Sequence, residues 1–337
     1  MKKFVLALVL VFCFSAVACA ELTDPVHLVF AAQEVGTGAY SVSAAIQGAM
    51  LKGLPDGSTI DLTTNSPGGV GAPVLIQRGR ADLIVANAGP SLWSYARKKA
   101  DYQFGDCPDV RSIAGGLGHA MANIMFTKAF VDKTGCTTLE EVIEKKVPIR
   151  LITKKNGSLG ELTAERVIEA CGISIADFMT FATWEKSGTD AIKSGIQDDL
   201  YDATIDHIDA GQSTTTEICL THDMHFVQLS DATLANLEKM GYAPLVMKAG
   251  TWNKQDKDIN TMGSQQNVIV PASMNEDVAY ALTKAICENH EDFAKAVASL
   301  AWFDPKTAGS HGLNGAPLHP GAIKYYKEMG YAYDEFK

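Results

Sequence analysis

Residues 27–40 read His-Leu-Val-Phe-Ala-Ala-Gln-Glu-Val-Gly-Thr-Gly-Ala-Tyr. An apolar run of strand length, 27–32, enters a glycine-bearing turn at 35–38, and from Tyr40 to residue 51 the pattern becomes helical. The unit continues with a strand over 59–64, a loop Asn65-Ser66-Pro67-Gly68-Gly69, a helix through 74–78 and a strand over 81–86. The same order recurs later. A strand at 148–152, a Gly/Ser loop at 154–160 and a helix over 161–171 are followed by a strand at 178–181, a helix at 189–193 and a strand at 201–205. Strands alternating with helices across short loops predict parallel βαβ units with right-handed crossovers, and two sets of them predict two α/β lobes. Ligands of open α/β sheets sit beyond the carboxyl ends of the strands, so facing lobes place these loops in a shared cleft. Helix N-termini beneath the loops supply free N–H groups and partial positive charge, which suits an anion.

Length agrees with two lobes: the chain has 337 residues, beyond the ~250–300 at which single cores stop growing. With 47% hydrophobic and 20% charged residues it has the composition of a folded protein. A net charge of −10 lacks the basic footprint of nucleic-acid binding, and no nucleic-acid partner is expected.

Lys2 and Lys3 precede a largely apolar run, 4–18, that closes on Ala18-Cys19-Ala20. This is the pattern of a secretory signal peptide occupying residues 1–20. The run is shorter than the ~20 residues of a comfortable membrane span, and no stable membrane insertion is expected. A rival reading makes Cys19 a lipidated first residue. Ala16 then stands where bacterial lipoprotein signals usually carry Leu, which favours processing without a lipid. Removing residues 1–20 takes away two lysines and no acids, moving the charge to −12.

The same cut reduces seven cysteines to Cys107, Cys136, Cys171, Cys219 and Cys287. None forms a C-x-x-C pair or a zinc-like spacing. Cys107 and Cys136 bracket two strand-like runs, 111–117 and 122–130. If those runs pair antiparallel, their outer ends approach and Cys107–Cys136 is a candidate disulfide. A C-terminal helix over 277–289, with Ser273 and Glu276 as its capping box, is expected to pack back on the first lobe.

Catalytic signatures are missing. Asn156-Gly157-Ser158-Leu159-Gly160 falls short of G-x-S-x-G at its first position. Gly36-Thr37-Gly38-Ala39-Tyr40-Ser41 lacks the third glycine of a dinucleotide loop, and no P-loop Lys follows a glycine cluster. His222 and His225 fit one helix face, yet no third ligand accompanies them in sequence. No cofactor, metal or enzymatic activity is expected. An exported metal-binding protein or enzyme using His207, His222 and His225 is the alternative from another class.

Several short motifs, in order, carry a family resemblance. They are Gly36-Thr37-Gly38 with Tyr40; Ser66-Pro67-Gly68-Gly69-Val70 with Gly79-Arg80-Ala81-Asp82-Leu83; Ala249-Gly250-Thr251-Trp252 followed by Gln255-Asp256; and Leu318-His319-Pro320-Gly321-Ala322 with Tyr325-Tyr326. From about residue 27 to the end the chain resembles the TAXI-type solute receptors of TRAP transporters. The resemblance implies a type II-like, two-lobed periplasmic binding protein fold. It implies a monomer in the periplasm that captures a small organic acid or amino acid, glutamate- or 2-oxoglutarate-like, and delivers it to TRAP membrane permease subunits. The receptor of an ABC importer is the nearer alternative.

The lobes are expected at 21–118 plus 232–337 and at 119–231. Carried onto the loops, the site comprises Gly36, Thr37, Gly38, Tyr40, Ser66, Gly68, Gly69, Val70 and Asn87 from the first lobe. Lys155, Asn156, Ser158, Gly160, Asp206 and His207 come from the second, the last two in a loop after Asp202-Ala203. The sequence departs from the family at Asn87-Ala88-Gly89, commonly Gln-Ser-Asp, and at Ala72, commonly Asn. These departures leave the identity of the ligand open.

Overall fold

The computed structural model describes residues 22–335 other than 34, 36, 37, 67, 96–104 and 119. The expected signal peptide with Cys19, and Gly36 and Thr37 of the expected site, lie outside the described residues.

Two sheets organise the chain. The first has the order β2-β1-β3-β12-β4, from β1 (His27–Ala31), β2 (Thr59–Thr63), β3 (Leu83–Asn87), β4 (Val110–Leu117) and β12 (Gln266–Pro271). The second has the order β10-β11-β5-β8-β6-β7, with a short β9 also on β5. Its strands are β5 (Met121–Thr127), β6 (Ile149–Lys154), β7 (Ala182–Ser187), β8 (Ala203–Ile208), β9 (Met224–Phe226), β10 (Ala243–Met247) and β11 (Ile259–Gly263). In each sheet a central strand is flanked by two parallel neighbours, β2 and β3 about β1, and β7 and β8 about β6. The expected recurrence of βαβ units is therefore built twice in the same spatial order.

The first core packs Phe30 and Leu83 against Val42 and Ile46 of the helix Gly38–Leu51 and against Leu282 and Ile286 of the helix Glu276–Glu288. The C-terminal helix thus packs on the first sheet as expected. Its cap differs: Asn275, not Ser273, accepts from the backbone of Asp277 and Val278. In the second half, 178–181 is not a strand. Ser174 caps a one-turn helix, Ile175–Phe178, and the strand begins at Ala182.

The chain crosses between sheets at 118–120 and again at 264–265. At the first crossing Gly116 and Gly118 adopt positive φ, +75° and +78°, where side chains are disfavoured, and this turns the chain away from a hairpin. Consequently β4 pairs with β12, whereas β5 pairs with β8, β9 and β11. Cys107 and Cys136 enter separate cores and both thiols are free, which removes the candidate disulfide. The second crossing falls later than the expected boundary at 232. Residues 243–263 contribute β10 and β11 to the second sheet, because β11 pairs with both β10 and β5.

Among the described residues no helix is long and apolar enough to cross a membrane.

Candidate functional site

The carboxyl ends of β3 and β8 meet at the second crossing. Asn87, the last residue of β3, donates from Nδ2 to the Ser264 carbonyl at 2.7 Å. Ser264 Oγ accepts from the Gly89 backbone at 2.8 Å, and the Ser264 N–H donates to His207 Nε2 at 3.3 Å. Polar groups from both sheets therefore converge on one residue of the crossover, the position where a ligand between two α/β halves would lie.

On the first half, the loop after β2 presses onto Asn87. A Cβ at Gly69 would stand 1.9 Å from Asn87 Oδ1, so no larger residue fits there. Gly68 has φ +103° and its N–H donates to Ser66 Oγ at 3.3 Å. Val70 is buried and packs with the second half's core. Gly38 is exposed at the start of the helix Gly38–Leu51, and Tyr40 is half-buried in its first turn.

On the second half, Lys154 ends β6 and its Nζ lies 3.3 Å from Asp206 Oδ2 and donates to Thr189 Oγ1 at 2.8 Å. The Lys154 and Asp206 side chains are 20% and 12% exposed, so the pair is a partly open floor and not a sealed core contact. Asp206 Oδ1 also accepts from the His207 backbone at 2.8 Å. Burial pushes the Asp206 carboxyl above its ordinary range, and the Lys154 ammonium works against that shift. Gly160 is required here too, since a Cβ would come within 2.3 Å of Asp206 Oδ1 and 2.8 Å of Lys154 Cγ.

Ser158 is committed to structure: its hydroxyl accepts from the Glu161 N–H at 3.1 Å and caps the helix Leu159–Ala170. Glu161 in turn accepts from the Gly157 N–H at 3.1 Å and from Lys186 Nζ at 2.5 Å, which fixes the shape of the loop. Lys155 and Asn156 are exposed on that loop. Lys155 makes no ion pair among the described residues. Its stem runs past Gly188, the N-cap of the helix Thr189–Gln197, at 3.5 Å from a Cβ built there. Two lysines and two helix N-termini thus share one rim, an arrangement that attracts an anion.

Asp206 and His207 lie on β8 and not in a loop as expected, because pairing with β5 carries the strand to Ile208, beyond Ile205 where its pairing with β6 ends. His207 Nδ1 is 3.2 Å from Thr163 Oγ1, which also bonds Tyr242 OH at 3.1 Å. Burial pushes the imidazole down to about 4, so it is neutral and able to accept from Ser264. His222 and His225 are elsewhere: His222 bonds Thr221 at 3.2 Å, and His225 bonds the Thr137 carbonyl at 2.8 Å from β9. They share no helix, and no group of three metal-ligating side chains forms among the described residues.

An NMT1-like family profile matches residues 30–330. The chain belongs to the NMT1-like family. No curated protein matches it. Among solved structures, this NMT1-like protein is similar to a TctC solute binding protein from Polaromonas, at 14% identity and a TM-score of 0.54, over 91% of this chain and 98% of that one. It is also similar to MatC from Rhodopseudomonas palustris with bound malate, at 12% identity and a TM-score of 0.51, over 90% and 99% of the two chains. The likeness at these identities shows the fold: mixed α/β, with two sheets, as in two-lobed periplasmic binding proteins.

Several residues of this NMT1-like chain that build the site were absent from the set expected from sequence: Thr189, Thr163, Tyr242 and Ser264. None of the four carries a local signal, because each is brought to the site by a pairing or crossing distant in sequence.

Proposed function

We propose that the protein is an extracytoplasmic solute receptor that takes a small organic acid or amino acid between its two halves. The observation that carries the reading is the second half's rim, where Lys154 and Lys155 stand with two helix N-termini, while Asn87 of the first half is tied through Ser264 to His207 on the neighbouring strand β8. A carboxylate leaving water requires such donors and cations to replace its hydration. MatC, which shares the fold, holds malate, a compound of this class. By sheet membership the halves are 22–118 with 264–335, and 120–263; the two crossings are the hinge. Ligand shifts the open–closed equilibrium through its better affinity for the closed state. The closed form is then presented to membrane subunits of a TRAP-type transporter, the partner implied by the TAXI resemblance. Residues 1–20 direct export to the periplasm, the protein acts as a monomer, and it turns over no substrate.

A thermal-shift screen tests the reading on protein stripped of endogenous ligand, with amino acids and C3–C6 mono- and dicarboxylates. A ligand at ~100 times its Kd adds about 2.7 kcal/mol of stability. Silence across the panel would remove the small-carboxylate reading.

A further inference from the structure

Asn123 is the third residue of β5 and is 1% exposed, in a strand otherwise apolar up to Thr127. Neither its Nδ2 nor its Oδ1 has a hydrogen-bond partner among the described residues. A buried amide unpaired at both atoms costs stability that a leucine of similar size would not cost. Its surroundings are not random. In the antiparallel register of β5 and β8, Asn123 stands directly opposite Asp206, so the two side chains share one face of the sheet. Thr204, two residues earlier on β8, shares that face, and its buried hydroxyl is also without a partner. An amide, a hydroxyl and the Asp206–Lys154 pair therefore form one polar patch, set in a face otherwise made of Met121, Met125, Ile152 and Ile208.

We propose that Asn123 reads the end of the ligand distal to its charged carboxylate, and that this end is a neutral donor–acceptor group, a primary carboxamide, and not a second carboxylate. The inference rests on the solute-receptor reading above and narrows its ligand class. A carboxylate only accepts. It would meet Asn123 Nδ2, leave Oδ1 facing lone pairs, and bring a second negative charge against Asp206. A carboxamide satisfies both atoms: its carbonyl accepts from Nδ2, and its NH2 donates to Oδ1 and to the Asp206 carboxylate, with Thr204 Oγ1 free to complete either side. The ligand's charged end is left to Lys155 and the helix N-termini at the rim.

The test is isothermal titration of the ligand-stripped full chain with two matched pairs, succinamate against succinate and glutamine against glutamate. The account predicts that the amide of at least one pair binds tenfold or more tightly than its acid. Asn123→Leu should abolish that preference and raise the melting temperature of the ligand-free protein. Asn123→Asp keeps the volume and should lose the preference in the same way. Acids binding as tightly as amides, a preference that survives both substitutions, or a lowered melting temperature for Asn123→Leu would overturn the inference. Binding of some other carboxylate with no response to either pair would overturn it while leaving the receptor reading intact. Silence to every carboxylate and amino acid would remove both.

Discussion

The indole N–H of Trp93 donates to the carbonyl of Met240 across 2.7 Å, joining the helix after β3 to the second half of the molecule. Trp93 is 1% exposed, lies in the second half's core, and its ring centroid is 5.7 Å from that of Tyr242. Gly241, at φ +94°, leaves the indole its room, since a Cβ there would stand 2.8 Å from Nε1. The two halves thus share a piece of core beside their second crossing. Trp93→Ala should cost about 3–5 kcal/mol through the lost burial and the cavity. Trp93→Phe should cost about 1–3 kcal/mol, chiefly from leaving the Met240 carbonyl unpaired. Urea unfolding measures both; a cost below about 1 kcal/mol for the alanine variant would show that the contact does not form in solution.

The buried imidazole of His207 makes stability fall on acidification. Its folded-state pKa of about 4 lies below the ordinary 6.5, so its contribution is complete above 6.5 and is lost as pH falls towards 4. The size is about 1–3 kcal/mol. Asp206 acts with the opposite sign, its raised pKa favouring the fold at low pH and losing that contribution as pH rises. Comparing wild type with His207→Gln cancels Asp206. Urea unfolding at pH 7.5 and 4.5 should show a smaller loss in the variant, and equal losses would contradict the assignment.

Glycines at the site and away from it should respond in opposite directions. Gly160→Ala forces a Cβ against Asp206 and Lys154 and should lower both stability, by about 1–3 kcal/mol, and ligand affinity. Gly48→Ala, on the exposed face of the helix Gly38–Leu51 with nothing within 4 Å, should stabilise by about 0.5–1 kcal/mol and leave affinity unchanged. Thermal unfolding with and without ligand separates the two effects.

The five cysteines beyond residue 20 should all be free thiols. Burial pushes Cys107 and Cys219 up to about 11 and Cys171 and Cys287 up to about 12, which keeps them protonated and unreactive at neutral pH. A thiol reagent should label the folded protein slowly and modify all five in denaturant. A mass shortfall of two hydrogens before reduction would reveal a disulfide that the two separate cores do not permit.

The βαβ rhythm was legible because it is local: β1, β2 and β6 begin within a residue of where apolar runs and glycine turns place them. What escaped depends on pairing partners distant in sequence. Asp206 and His207 look like loop residues in Ile-Asp-His-Ile-Asp-Ala, yet their antiparallel pairing with Asn123 and Ala122 of β5, some eighty residues earlier, overrides the local preference. The aromatic-flanked run at 178–181 imitates a strand, while Ser174 three residues before Asp177 caps a helical turn instead. The return of 243–263 to the second sheet leaves no local trace. At the site, the 66–69 loop was legible through its glycines. Ser264 was not, because its role follows from being the point where the chain changes sheets.

The central claim is that a small anion binds at the second half's rim, where Lys154 and Lys155 stand with two helix N-termini. Its most direct test is isothermal titration of ligand-stripped wild type and Lys154→Met with the compound that gives the largest thermal shift. The account predicts one site per chain and at least a tenfold loss of affinity, about 1.4 kcal/mol, in the variant. Unchanged affinity in a folded Lys154→Met would contradict it.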